Sequence, residues 1–162
     1  MPDWQLAQLV AGLVAIPKIR EVHLVRMAIG PRTVASIMMV QQKRARQFGG
    51  LGEFAVAFQK CTFVGFEESS VPTNTAVLER LPTPLKRLTL SDQGLTDEQL
   101  PPILDRIHQL ELLDISFNSF RPLTLLKFLI EINRKKNSEM VLGWISLKGN
   151  SLRDKNSLEI NL

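Results

Sequence analysis

The chain has 162 residues, of which 44% are apolar and 22% charged, with one cysteine and a net charge of +4. This is one domain's worth of ordinary globular composition, and it excludes an intrachain disulfide and a low-complexity chain. The charge is uneven: residues 1–60 hold eight Lys and Arg against three acidic residues, a surplus of five, while residues 61–162 hold twelve against thirteen.

The first predicted element is a helix over residues 3–16, DWQLAQLVAGLVAI, capped by Asp3 and expected to cover the open edge of the strand that follows. Its apolar run, residues 6–16, is too short to span a bilayer, and it follows an acid rather than a basic segment. No membrane span and no leader are expected. A strand is predicted in IREVHLVRMAI, then a helix over RTVASIMMVQQKRARQF with Val34, Ile37 and Met38 inward. The GGLG at 49–52 reads as a helix-to-strand turn. A second strand holds Val56 and Phe58, and TNTAVLERL is a short helix. A third strand lies in LKRLTLSDQGL. The helix after it, TDEQLPPILDRIHQL, opens with Thr96 and Gln99 in capping-box relation and turns Leu100, Ile103, Leu104 and Ile107 to one side. A fourth strand in LELLDISFNSF precedes a helix, RPLTLLKFLIEINRKK, with Leu125, Leu126, Leu129 and Ile132 inward. LGWISLKGNSL supplies the fifth strand. The last ten residues, RDKNSLEINL, are too few for another helix-bearing unit. They are expected either to fold back over the last strand through Leu158, Ile160 and Leu162, or to leave an edge open to another chain.

The five strands share one spacing. Counting from Asn118, the residues Leu110, Leu113, Ile115 and Phe120 stand at −8, −5, −3 and +2. Leu142, Ile145, Leu147 and Leu152 stand likewise about Asn150, and Leu85, Leu88, Leu90 and Leu95 about Gln93. Val56, Phe58 and Phe63 do so about Cys61, with Glu53 breaking the first position, and Ile19, Val22, Leu24 and Ile29 about Met27. The anchors are 34, 32, 25 and 32 residues apart. Alternate strand residues face one side, and the asparagine stands where backbone groups leaving the strand need partners, so Asn118 is expected to be structural.

This pattern over residues 19–152 resembles the leucine-rich repeat, L-x-x-L-x-L-x-x-N/C-x-L, in its long, ribonuclease-inhibitor-like form. The resemblance implies an α/β solenoid of about five repeats, with a parallel sheet on the concave side and helices on the convex side. It also implies a single domain: a capping helix over 1–17, repeats over 19–152 and a tail over 153–162.

Chemistry finds little foothold. His23 and His108 fall in distant repeats, Cys61 occupies an anchor, and neither a zinc-ligand set nor a phosphate-loop, nucleophile-elbow or HExxH motif occurs. An enzyme, a cofactor and a metal are therefore not expected. The concave rows are expected to run Glu21, Ala55, Arg87, Leu112, Trp144 and His23, Ala57, Thr89, Asp114, Ser146, with a third of Val25, Gln59, Ser91, Ser116, Lys148. Trp144, Leu112, Asp114 and Arg87, extended by Phe117, are the candidate partner-binding residues, because aromatic and apolar side chains at the middle of a surface are the composition of an interface centre. Arg87 and Asp114 are alternatively expected to pair with each other. The function expected is protein binding by an adaptor, scaffold or small subunit of a larger assembly in the cytoplasm or, alternatively, the mitochondrion. A second alternative is a ribonucleoprotein component that contacts RNA phosphates through Lys43, Arg44, Arg46 and Arg26.

Overall fold

The computed structural model describes residues 1–49, 55–66, 73–81, 86–135, 141–150 and 159–161. Its strands are β1 (Glu21–Val25), β2 (Ala28–Ile29), β3 (Ala55–Gln59), β4 (Thr62–Phe63), β5 (Arg87–Ser91), β6 (Leu112–Asp114), β7 (Trp144–Ser146) and β8 (Glu159–Asn161). Its helices are α1 (Asp3–Gly12), α2 (Pro31–Phe48), α3 (Thr73–Arg80), α4 (Leu100–Arg106) and α5 (Pro122–Lys135). Five strands pair in parallel in the order β1-β3-β5-β6-β7, and β8 adds to β7 antiparallel. A short parallel ladder, β2 with β4, lies just beyond the strand ends. The fold is thus α/β with a parallel sheet. Among the described residues no helix is long and apolar enough to cross a membrane.

One face of the sheet and the helices enclose a single core. Leu24, Val56, Phe58, Leu88, Leu90, Leu113, Ile115, Ile145 and Leu147 point into it from the strands. Val34, Ile37, Val77, Ile103, Leu125, Phe128 and Ile132 meet them from the helices. The period-two strand pattern and the period-3.6 helix pattern therefore bury the same seam. Leu85 and Leu152 of the spacing, and Glu53, lie outside the described residues.

The way out of each strand is repeated. Arg26, Lys60, Asp92, Phe117 and Gly149, each one residue before an anchor, all have φ between 53° and 68°. The amides of the first four donate to the carbonyls of Gln59, Ser91, Ser116 and Lys148 in the next strand segment, at 2.9, 3.3, 3.0 and 2.7 Å. The anchor side chain completes the stitch. Asn118 Nδ2 donates to the carbonyls of Leu90, Ile115 and Ser116, and its Oδ1 accepts from the amides of Gln93 and Leu95. Asn150 donates to the Ile115 and Leu147 carbonyls and accepts from Phe120 N–H. Cys61 Sγ donates to the Leu24 carbonyl. With its amide oxygen turned toward β3, Gln93 accepts from the amides of Lys60 and Cys61 at 2.7 and 2.9 Å. Each of these anchors reaches back to the strand before it.

Three sequence expectations need correction. Asp3 does not cap its own helix; Pro2 precedes α1 and offers no side-chain cap. The Asp3 carboxylate instead accepts from Gly30, Arg32 and Thr33 N–H and from the Thr33 hydroxyl, capping α2 from 27 to 30 residues away. Gly30 at the start of α2 has no side chain to do this, and a Cβ there would lie 2.4 Å from Asp3 Cγ. In consequence α1 lies parallel to α2 and extends the helix layer, touching α2 and β2 rather than running along the outer edge of β1. Finally, Leu126 is 54% exposed and Phe128 takes the inward position on α5. The capping box of Thr96 and Gln99 is present as expected, with Thr96 N–H donating to Gln99 Oε1 at 2.8 Å.

The tail forms backbone pairs at the last edge: Trp144 stands opposite Asn161, Ile145 opposite Ile160 and Ser146 opposite Glu159. This backbone covers the free edge of β7, so that edge is not the open template that one of the two sequence expectations required. Leu158 and Leu162 lie outside the described residues.

Candidate functional site

The second face of the sheet carries no helix among the described residues and holds a groove of about 390 Å³. It is lined by His23, Ala57, Gln59, Thr89, Ser91, Asp114, Ser116, Phe117, Trp144, Ser146 and Lys148. Strand register puts them there. Arg87, Leu112 and Trp144 align across β5, β6 and β7, and Thr89, Asp114 and Ser146 align one row on. The rows read from the sequence spacing are thus in register on the sheet. The middle is floored by small side chains, with Ala57, Ser91, Ser116 and Ser146 all buried. The Ser116 hydroxyl donates to that of Ser91 at 3.1 Å.

Two aromatic groups stand over this floor. Trp144 is half-buried beside half-buried Leu112. Phe117 is 49% exposed, and its φ of 55° is unusual for a bulky residue. The corresponding position of the next segment is Gly149, where a Cβ would lie 2.4 Å from Phe117 Cδ1. Gly149 makes room for the Phe117 ring. The Lys148 ammonium lies 5.9 Å from the centroid of that ring, within cation–π range.

Asp114 and Arg87 do not pair among the described residues, contrary to the sequence alternative. Asp114 Oδ1 accepts from Ser116 N–H at 2.9 Å, a local turn that holds the carboxylate in place. Arg87 is exposed at the rim. At the far rim His23 Nε2 stands 3.3 Å from Glu21, and Lys60 pairs with Asp92 at 3.1 Å.

The basic candidates do not form one surface. Arg44 is fully buried, and its guanidinium donates to the carbonyls of Leu13, Ile16, Pro17 and Ile19. Expected to contact phosphate, it instead fastens the segment between α1 and β1. Burial, with the charge of Arg20 beside it, lowers its pKa. Lys43 and Arg46 are exposed on the second half of α2, and Arg26 is exposed at the far end of β1. Because α2 runs back against the strand direction, these groups are separated by roughly 15–20 Å along the helix axis.

Lys148 and the Ser91–Ser116 hydroxyl pair were not singled out for function in the sequence, although the −2 row contained them. The usable signal for Phe117 was its place one residue before an anchor, where a glycine stands in the following segment. Among the described residues no cluster of three or more His, Cys, Asp or Glu is arranged to hold a metal ion. Comparison with protein-family models, with curated proteins and with solved structures returns no match.

Proposed function

We propose that the chain is a leucine-rich-repeat solenoid of about five repeats that binds another protein through the open face of its sheet, as an adaptor or small subunit of a larger assembly. The solenoid reading is supported by one anchor spacing, one left-handed strand exit and one interstrand stitch recurring along the chain. The binding reading is carried by Phe117. The left-handed backbone is common to the strand exits, so what sets this position apart is its side chain: a bulky aromatic group, 49% exposed, where the neighbouring exits carry Asp92 and Gly149. Trp144 and Leu112 extend the same apolar surface over a polar floor, which is the composition of an interface centre. In this reading the groove recognises and does not catalyse.

The ribonucleoprotein alternative has less support, because Arg44 is spent inside the protein and Arg26 lies far from Lys43 and Arg46. The test is capture of binding partners from cell extract by the wild-type chain and by Trp144→Ala. A true partner is expected to lose about 2 kcal/mol or more of affinity in the variant, about thirtyfold in Kd. A partner that binds both equally refutes the groove as its site. Binding that collapses between low and moderate salt and carries nucleic acid with it favours the alternative.

A further inference from the structure

The groove also indicates what its partner presents. We propose that it seats an arginine side chain from an extended segment of the bound protein, against Asp114 and between Phe117 and Trp144. This rests on the protein-binding reading above and adds the chemistry of the contact.

Asp114 is the only carboxylate lining the groove among the described residues. It is half-buried, and one of its oxygens already accepts from Ser116 N–H. No cation pairs with it among the described residues. The nearest candidates are turned elsewhere: Lys148 sits over the Phe117 ring, and Arg87 stands exposed at the rim. A carboxylate in a partly desolvated hollow gains most from a cation that can reach it. The surroundings favour arginine over lysine. Thr89 and Ser146 flank Asp114 in register, and Ser91 and Ser116 lie one row on. These hydroxyls can accept the N–H groups of a guanidinium that the carboxylate leaves over, since arginine carries five donors in a fixed plane. The small side chains of the floor give that plane depth. Trp144 lines one side as an aromatic wall, and the Phe117 ring on the other side already carries the Lys148 ammonium.

The test uses the full chain and two small probes, N-acetyl-arginine amide and N-acetyl-glutamate amide, followed by amide and indole NMR shifts. Saturable shifts centred on Asp114, Ser116 and the Trp144 indole are expected with the arginine probe and not with the glutamate probe. Asp114→Asn keeps an oxygen for Ser116 N–H, so its spectrum should otherwise match the wild type, while its arginine affinity falls at least tenfold. Arginine binding unchanged in Asp114→Asn, no arginine shifts in the groove, or equal shifts with glutamate would overturn the proposal. A protein partner lost by Trp144→Ala but kept by Asp114→Asn removes the arginine contact and leaves the broader reading standing. A partner kept by both variants removes both.

Discussion

At Asn118 one carboxamide makes five buried hydrogen bonds to two strands. At Met27, the same place on the first strand, there is a thioether that has no donor to offer. Cys61 falls between, with a thiol bonded to the Leu24 carbonyl. The gradient follows the work to be done. An anchor inside the stack must satisfy the strand before it, and β1 has no strand before it among the described residues. What holds the two ends also differs. The later segments are joined by amides reaching from strand to strand. The N-terminal end is held by ionised groups, Asp3 and Arg44, bonded to backbone across the helix layer, and Asp97 repeats that kind of contact in the helix layer at the start of α5.

The sharpest way to break this comparison is Asn118→Leu, which strands the Gln93 and Leu95 amides in the core and takes a donor from the Leu90, Ile115 and Ser116 carbonyls, the last two keeping Asn150 Nδ2 and Asp92 N–H. It should destabilise the protein by about 3–5 kcal/mol in urea unfolding, at the large end for single substitutions. Arg44→Met tests the other end. It removes the donor to four carbonyls but keeps the apolar stem, so a loss of about 2–3 kcal/mol is expected, with hydrogen exchange rising first in α1.

Acid should separate the two kinds of fastening. Burial raises the Asp3 carboxyl, but hydrogen bonds from Thr33, Arg32 and Gly30 outweigh it and hold its pKa below the usual range. At Asp97 burial acts the same way and is outweighed by Arg121 and Thr124 at the start of α5. A depressed folded pKa means the stabilisation is complete above the unfolded value near 4 and is lost as pH falls through the folded one. The melting temperature should therefore drop on acidification below about pH 4. The drop should be shallower in Asp3→Asn with Asp97→Asn, while Asn118 variants should keep the wild-type slope. The smallest effect concerns Phe117. Phe117→Gly relieves the left-handed strain and should stabilise the fold by about 0.5–1 kcal/mol while weakening partner binding. A loss of stability instead would make the ring a packing element over Gly149.

Much of this architecture was legible in the residues. The offsets −5 and −3 carry the core of every strand, because a period of two on one buried face leaves little choice of register. The same arithmetic set Trp144, Leu112 and Arg87 in one row. Other features depend on groups that only folding brings together. Asp3 meets Gly30 because α1 and α2 start side by side. Arg44 has the composition of a surface patch, and only four carbonyls converging from a loop some thirty residues earlier make it a buried one. Leu126 satisfies the helical period as well as Phe128 does, and only tertiary packing selects between them, burying Phe128 with Leu125 and Ile132. Sequence by itself determined the five parallel strands, the helices between them, their order and which strand faces are apolar, since those follow from local periodicity, whereas the short β2–β4 ladder and the pairing of β8 did not. Tertiary structure alone decided which polar groups are spent on the backbone of distant segments and which, like Asp114, bond only within their own turn, because hydrogen bonds are claimed by proximity across segments that the sequence keeps far apart.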